Sequence, residues 1–83
     1  MNFALTTHAQ EQLAKRKLPL FLLLMVIEHP QQEFEEDGVK VYQSQFNYNG
    51  KTQVFRVFVN ASVDPMLVIT IYVTSKIDKY WRQ

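Results

Sequence analysis

The chain has 83 residues, 47% of them apolar and none of them cysteine, which suits one domain over 1–83 with one core and excludes disulfides and thiolate metal centres. The net charge of +1 says little about nucleic acid, but its distribution is uneven: residues 1–37 carry three basic and six acidic side chains, residues 38–83 six basic and two acidic. The second half therefore permits a phosphate partner, or simply carries ordinary surface charge.

In chain order, Phe3-Ala4-Leu5 reads as a short strand. Thr7-His8-Ala9-Gln10 matches a capping box, with the Thr7 hydroxyl accepting from the Gln10 amide, and a helix follows to about Lys17. Its apolar stripe is thin, Ala9 and Leu13 with Leu18 beyond the end, so one face is expected to be buried. Pro19 suits the first turn of a second helix over Leu20 to Ile27, and Pro30 drives His29 out of helical geometry. Residues 1–10 lack a basic-then-apolar leader pattern. The apolar run Leu18 to Ile27 is shorter than the ~20 residues a bilayer requires. A cytoplasmic protein with no membrane association is expected.

The rest reads as a meander. Gln31 to Glu35 is a weak strand, and Asp37-Gly38 and Asn49-Gly50 are two-residue hairpin turns, because a type I′ turn needs positive φ at both central residues. They bracket a strand over Val39 to Tyr48. Gln53 to Val59 follows, then a loop with Asp64-Pro65, then a strand over Leu67 to Thr74. The expected fold is α+β, with two N-terminal helices packed on one face of an antiparallel β-meander.

The Asn49-Gly50 turn pairs Tyr48 with Lys51, Ser44 with Phe55 and Tyr42 with Val57. Alternation then puts Tyr42, Ser44, Phe46, Phe55, Val57 and Val59 on one face, toward the helices. Val41, Gln43, Gln45, Val54, Arg56 and Phe58 share the other, read as open. On the last strand Leu67, Ile69, Ile71 and Val73 are assigned to the core, which sets Thr70, Tyr72 and Thr74 beside Arg56 and Gln43. Such a group suits phosphate oxygens and unpaired bases, and equally suits a plain solvated face. Phe34 falls opposite Val41 on the open face unless a bulge redirects it.

His8 lies in the first helical turn, where the dipole disfavours imidazolium. It is either a proton acceptor or a partly buried structural histidine. His8 and His29 lack the spacing of a helical metal pair, so no metal and no cofactor is expected. In the tail, Lys76 and Lys79 share one side of a helical turn and Ile77 and Tyr80 the other, unless the segment is a docked terminus anchored by Trp81. The second helix is apolar nearly all round. Its outer side, assigned to Phe21, Leu22, Leu23 and Leu24, is therefore expected to meet another chain, unless the first helix and the C-terminal tail with Trp81 cover it.

His8-Ala9, Arg16 and Leu18, the apolar helix closing at Pro30, Val54-Phe55-Arg56-Val57, and the run Thr70 to Trp81 together resemble the domain of unknown function 4258 family. More distantly they resemble the RelE/ParE-type and BrnT-type toxins of toxin–antitoxin systems. The resemblance implies a RelE/BrnT-like sheet with helices on one face, a cognate antitoxin and, in the toxin branch, cleavage of RNA by an endoribonuclease that needs no metal. His8, Arg16, Arg56, Thr70 and Lys76 are the matching positions. Gln12 departs from the pattern, since the family usually carries arginine there. On this reading Arg56 and Lys76 neutralise the phosphate, His8 or Tyr80 transfers the proton, and Tyr72 stacks on a base. Arg16, Thr70, Thr74 and Lys79 complete the RNA contacts. The competing reading is a non-catalytic interaction module, which includes a homodimer.

Overall fold

The computed structural model describes residues 2–83. Its elements are β1 (Phe3–Leu5), α1 (Thr7–Arg16), α2 (Leu20–Glu28), β2 (Gln32–Glu36), β3 (Val39–Tyr48), β4 (Lys51–Asn60), β5 (Met66–Thr74) and α3 (Ile77–Tyr80). The class is α+β. The sheet order is β1-β5-β4-β3-β2. Strands β2 to β5 form the antiparallel meander. β1, however, pairs parallel with β5, so the sheet is mixed and the purely antiparallel expectation is corrected at that edge. No helix among the described residues is long and apolar enough to cross a membrane.

Both hairpins turn as the dipeptides require. Asp37 and Gly38 have φ of 52° and 79°, Asn49 and Gly50 of 55° and 79°, and the β3–β4 register is Tyr48↔Lys51, Ser44↔Phe55, Tyr42↔Val57. Phe34 stands opposite Val41 with no bulge.

The cap of α1 sits one residue earlier than expected. Thr6, not Thr7, is the N-cap: its Oγ1 accepts from the Ala9 amide at 3.0 Å and donates to the Ile69 carbonyl at 2.8 Å. The Thr6 amide donates to Val68 O at 3.0 Å, which ties the helix start to the β1–β5 pairing. Helix α1 ends with Lys17 in the left-handed region, φ 53°. Lys17 N donates to Ala14 O and Leu18 N to Leu13 O, a Schellman closure that turns Leu18 into the core. Pro19 lies at the N-cap of α2, just outside its first turn.

One apolar cluster joins Ala9, Leu18, Leu22, Leu23, Val26 and Ile27 of the helical segment to Tyr42, Phe55, Val57, Val59, Val68, Ile71 and Val73 of the sheet. Phe46 and Tyr48 meet Phe55 edge-on at 5.3 and 5.7 Å. Each fully buried aliphatic side chain here supplies about 1.5–3 kcal/mol. The polar member of this face, Ser44, is buried with its Oγ accepting from Gln31 N at 3.1 Å.

Strand β5 departs from simple alternation. Thr70 pairs with Phe58 but Val68 pairs with Val59, so Ile69 has no partner on β4. This bulge brings Val68 into the core in place of Ile69 and Leu67, which are only half-buried.

The second face is not open. Val41, Gln43 and Val54 are 0% exposed and Arg56 4%. The C-terminal turn lies over them, with Tyr80 and Arg82 bonded to Gln43 and Gln32.

Candidate functional site

A straight polar row crosses the second face. Gln32 on β2 pairs with Gln43 on β3, Gln43 with Arg56 on β4, and Arg56 with Tyr72 on β5. Arg56 Nε donates to Gln43 Oε1 at 3.0 Å and its Nη2 to Glu36 Oε2 at 3.1 Å. Its guanidinium lies 4.5 Å from the Tyr80 ring centre and 5.1 Å from that of Phe58. Enclosed in this way, Arg56 stays on the side of the sheet that alternation assigned to it but is only 4% exposed. Its expected contact with phosphate does not fit that enclosure.

Above Arg56, Tyr80 meets Tyr72 edge-on at 5.6 Å. Lys79 Nζ stands 5.4 Å from the Tyr80 ring centre. Lys76 and Lys79 are exposed and Thr74 is buried, its Oγ1 accepting from Lys76 N at 3.1 Å. The Tyr72 phenol is held below its ordinary pKa, chiefly by hydrogen bonding with Tyr80, then with Thr74, with the charges of Lys76 and Lys79 adding to the shift. A lowered pKa raises the share of phenolate, the form that can accept a proton, at a given pH, and two ammonium groups beside it suit an anion.

Helix α1 holds a separate group. His8 is exposed and, with Glu11, Gln12, Lys15 and Arg16, lines a cleft of about 460 Å³. Arg16 also borders a smaller cavity of about 220 Å³ with Leu18, Tyr48, Asn49, Gln53 and Val73. The structure thus gathers Tyr72, Thr74, Lys76, Lys79 and Tyr80 at the end of β5. It leaves His8 and Arg16 on the flank of α1, and it encloses Arg56.

Thr70 belongs to neither group as a free hydroxyl. Its Oγ1 donates to Gln12 Oε1 at 2.7 Å, and Ile71 N donates to the same oxygen at 2.7 Å. β1 pairs with β5 only at residues 66–68, so the Ile71 amide would otherwise lack a partner on that edge. An arginine at position 12 has no acceptor and could not do this. In the sequence Gln12 stands out only as a departure from the family's arginine; the signal for its role is a carboxamide facing the strand edge that β1 leaves uncovered.

On α2, Phe21 is 60% exposed and Leu24 half-buried, whereas Leu22 and Leu23 belong to the core. The outer apolar side is Leu20, Phe21 and Met25, so Leu22 and Leu23 are corrected from interface to interior. Among the described residues no group of three or more histidine, cysteine or acidic side chains is placed to hold a metal ion.

A mixed five-stranded sheet with a cation–phenol cluster at the end of its last long strand defines a small α+β domain with one polar, anion-compatible corner. Residues 5–73 match the family model described as Domain of unknown function (DUF4258), and the chain belongs to that family. No curated protein and no solved structure matches it. The matched range ends at Val73, so the turn that carries Lys76, Lys79 and Tyr80 lies just beyond it.

Proposed function

We propose that this chain is the toxin-like component of a bacterial toxin–antitoxin pair and that it cleaves RNA with its own side chains as acid, base and cations. The observation that carries this reading is the grouping of Tyr72, its acidity raised by its neighbours, with Tyr80, Lys76 and Lys79 at one accessible corner. The RelE/BrnT-like architecture suggested by the sequence, with helices preceding a meander, and a cytoplasmic location among cellular RNA belong to the same reading.

The chemistry needs a base for the 2′-hydroxyl, positive charge for the phosphorane-like transition state, and an acid for the leaving oxygen. The 2′ oxygen attacks the adjacent phosphorus and the P–O5′ bond breaks, leaving a 2′,3′-cyclic phosphate and a 5′-hydroxyl. Tyr72 takes the 2′ proton, Tyr80 donates one to O5′, and Lys76 and Lys79 hold the phosphate oxygens. Arg56 supports Tyr80 from beneath. His8 and Arg16 serve the strand as it passes the cleft beside α1.

The test is incubation with single-stranded RNA at low salt, scored for cyclic-phosphate ends and for binding. Tyr72→Phe and Lys76→Ala are expected to lower cleavage at least tenfold, and affinity to fall as salt rises. Absence of RNA affinity at low salt refutes the ribonuclease reading.

A second reading, a non-catalytic interaction module, draws on the outer side of α2, where Leu20, Phe21 and Met25 are 53, 60 and 45% exposed. Within the first reading this patch is where a cognate antitoxin or a second copy docks.

A further inference from the structure

The buried polar row on the second face does something that a simple apolar cover would not. Gln43 uses its carboxamide on three elements at once: Nε2 donates to Gln32 Oε1 at 2.6 Å and to Tyr80 O at 3.0 Å, and Oε1 accepts from Arg56 Nε at 3.0 Å. Gln32 brackets one residue of the tail, its Oε1 accepting from Arg82 N at 3.1 Å and its Nε2 donating to Arg82 O. The Arg82 guanidinium stacks on Phe34 at 3.5 Å and reaches Glu36 at 3.6 Å.

Helix α3 has four residues and no side-chain cap. So short a helix does not sustain itself, and its place is set by what it docks on. Apolar residues at 43 and 56 could cover the face as well, since buried polar groups are often replaced by packed hydrophobes at no loss of stability. Apolar contact, however, would leave the turn free to slide. Directional bonds to the backbone at residues 80 and 82 fix it in one register.

We infer that Gln32, Gln43 and Arg56 are positioning residues that lock the C-terminal turn so that Tyr80, Lys76 and Lys79 stand against Tyr72. The inference rests on the proposed ribonuclease reading for what the cluster does, but not for how it is held.

The experiment uses the full chain with Gln43→Met, and with Gln32→Ala on the more tolerant edge strand in case the first variant fails to fold. Trp81, the sole tryptophan, reports the turn by its emission, and ring-labelled tyrosine NMR reports the Tyr72 titration. In a variant that keeps a cooperative thermal transition, Trp81 emission is expected to move to longer wavelength. The Tyr72 midpoint is expected to rise toward that of an ordinary tyrosine, and RNA binding to fall at least tenfold. Unchanged emission and an unchanged midpoint in a folded variant overturn the inference, whatever happens to RNA. If both probes move but the wild type has no affinity for RNA at low salt, the positioning role stands and the ribonuclease reading falls.

Discussion

Replacing Arg56 with alanine tests whether this side chain belongs to a surface or to an interior. Alternation alone places it on an open face, from which its removal would leave folding intact. In the structure it is 4% exposed and holds four partners: the Gln43 oxygen, the Glu36 carboxylate and the rings of Tyr80 and, at a longer distance, Phe58. Removal leaves the fully buried Gln43 oxygen without its donor, a loss of about 1–3 kcal/mol. It also forfeits a desolvated cation–π contact of about 1–2 kcal/mol. The pair with Glu36 adds little, because that carboxylate side chain is 38% exposed and keeps Arg82 at 3.6 Å. The sum is about 3 kcal/mol, which for a domain of this size lowers Tm by about 12–24 °C. Thermal and urea denaturation followed by circular dichroism measure it. A variant within about 0.5 kcal/mol of the wild type would refute the enclosure and return Arg56 to the surface.

Phe21→Glu and Leu23→Glu form a contrasting pair: the first, on the outer side of α2, should change stability by no more than about 0.5 kcal/mol, and the second, 3% exposed, should cost more than about 3 kcal/mol in the same denaturation assay. Lys17→Gly should stabilise by about 1 kcal/mol, because Lys17 holds φ 53° at the end of α1 and glycine adopts that conformation without steric cost. Tyr72 has a folded pKa below its unfolded value near 10.0, so its contribution to stability grows as pH rises through the folded value, is complete above the unfolded one, and is lost as pH falls. Denaturation of wild type and Tyr72→Phe at neutral and alkaline pH should therefore show a gap that widens with pH. Lys40, raised by its hydrogen bond to Glu33, loses its contribution over the alkaline range but does so in both proteins and cancels from the difference.

Much of the fold was legible because its determinants are local. Asp37-Gly38 and Asn49-Gly50 each demand two positive φ values, and those two turns fix the register of three strands. The bulge at Ile69 was not legible. Leu67, Val68 and Ile69 are all apolar, so either phase of the alternation puts a hydrophobe in the core. What selects the phase is Thr6, whose amide and hydroxyl take the carbonyls of Val68 and Ile69, contacts made across more than sixty residues of chain. The parallel pairing of β1 was hidden for the same reason: three residues carry no signal of which edge they join.

The candidate site was half legible, and the missing half had a signal. Alternation put Arg56, Gln43, Tyr72 and Thr74 on one face and kept them there in the structure. Alternation says which side chains share a face and nothing about what covers it. Yet the same face holds Val41, Val54, Phe34 and Phe58, too much apolar surface to leave in water, and both helices were already committed to the other side. The only remaining segment with rings to offer is Tyr80-Trp81, and β5 delivers it directly onto that face. Arg56 and Gln43 are then buried as a consequence. Once buried they need partners, and Glu36, Gln32 and the backbone of residues 80 and 82 supply them. By that route the covering turn brings Lys76, Lys79 and Tyr80 to Tyr72, and the corner that can hold an anion is a product of closing the second face.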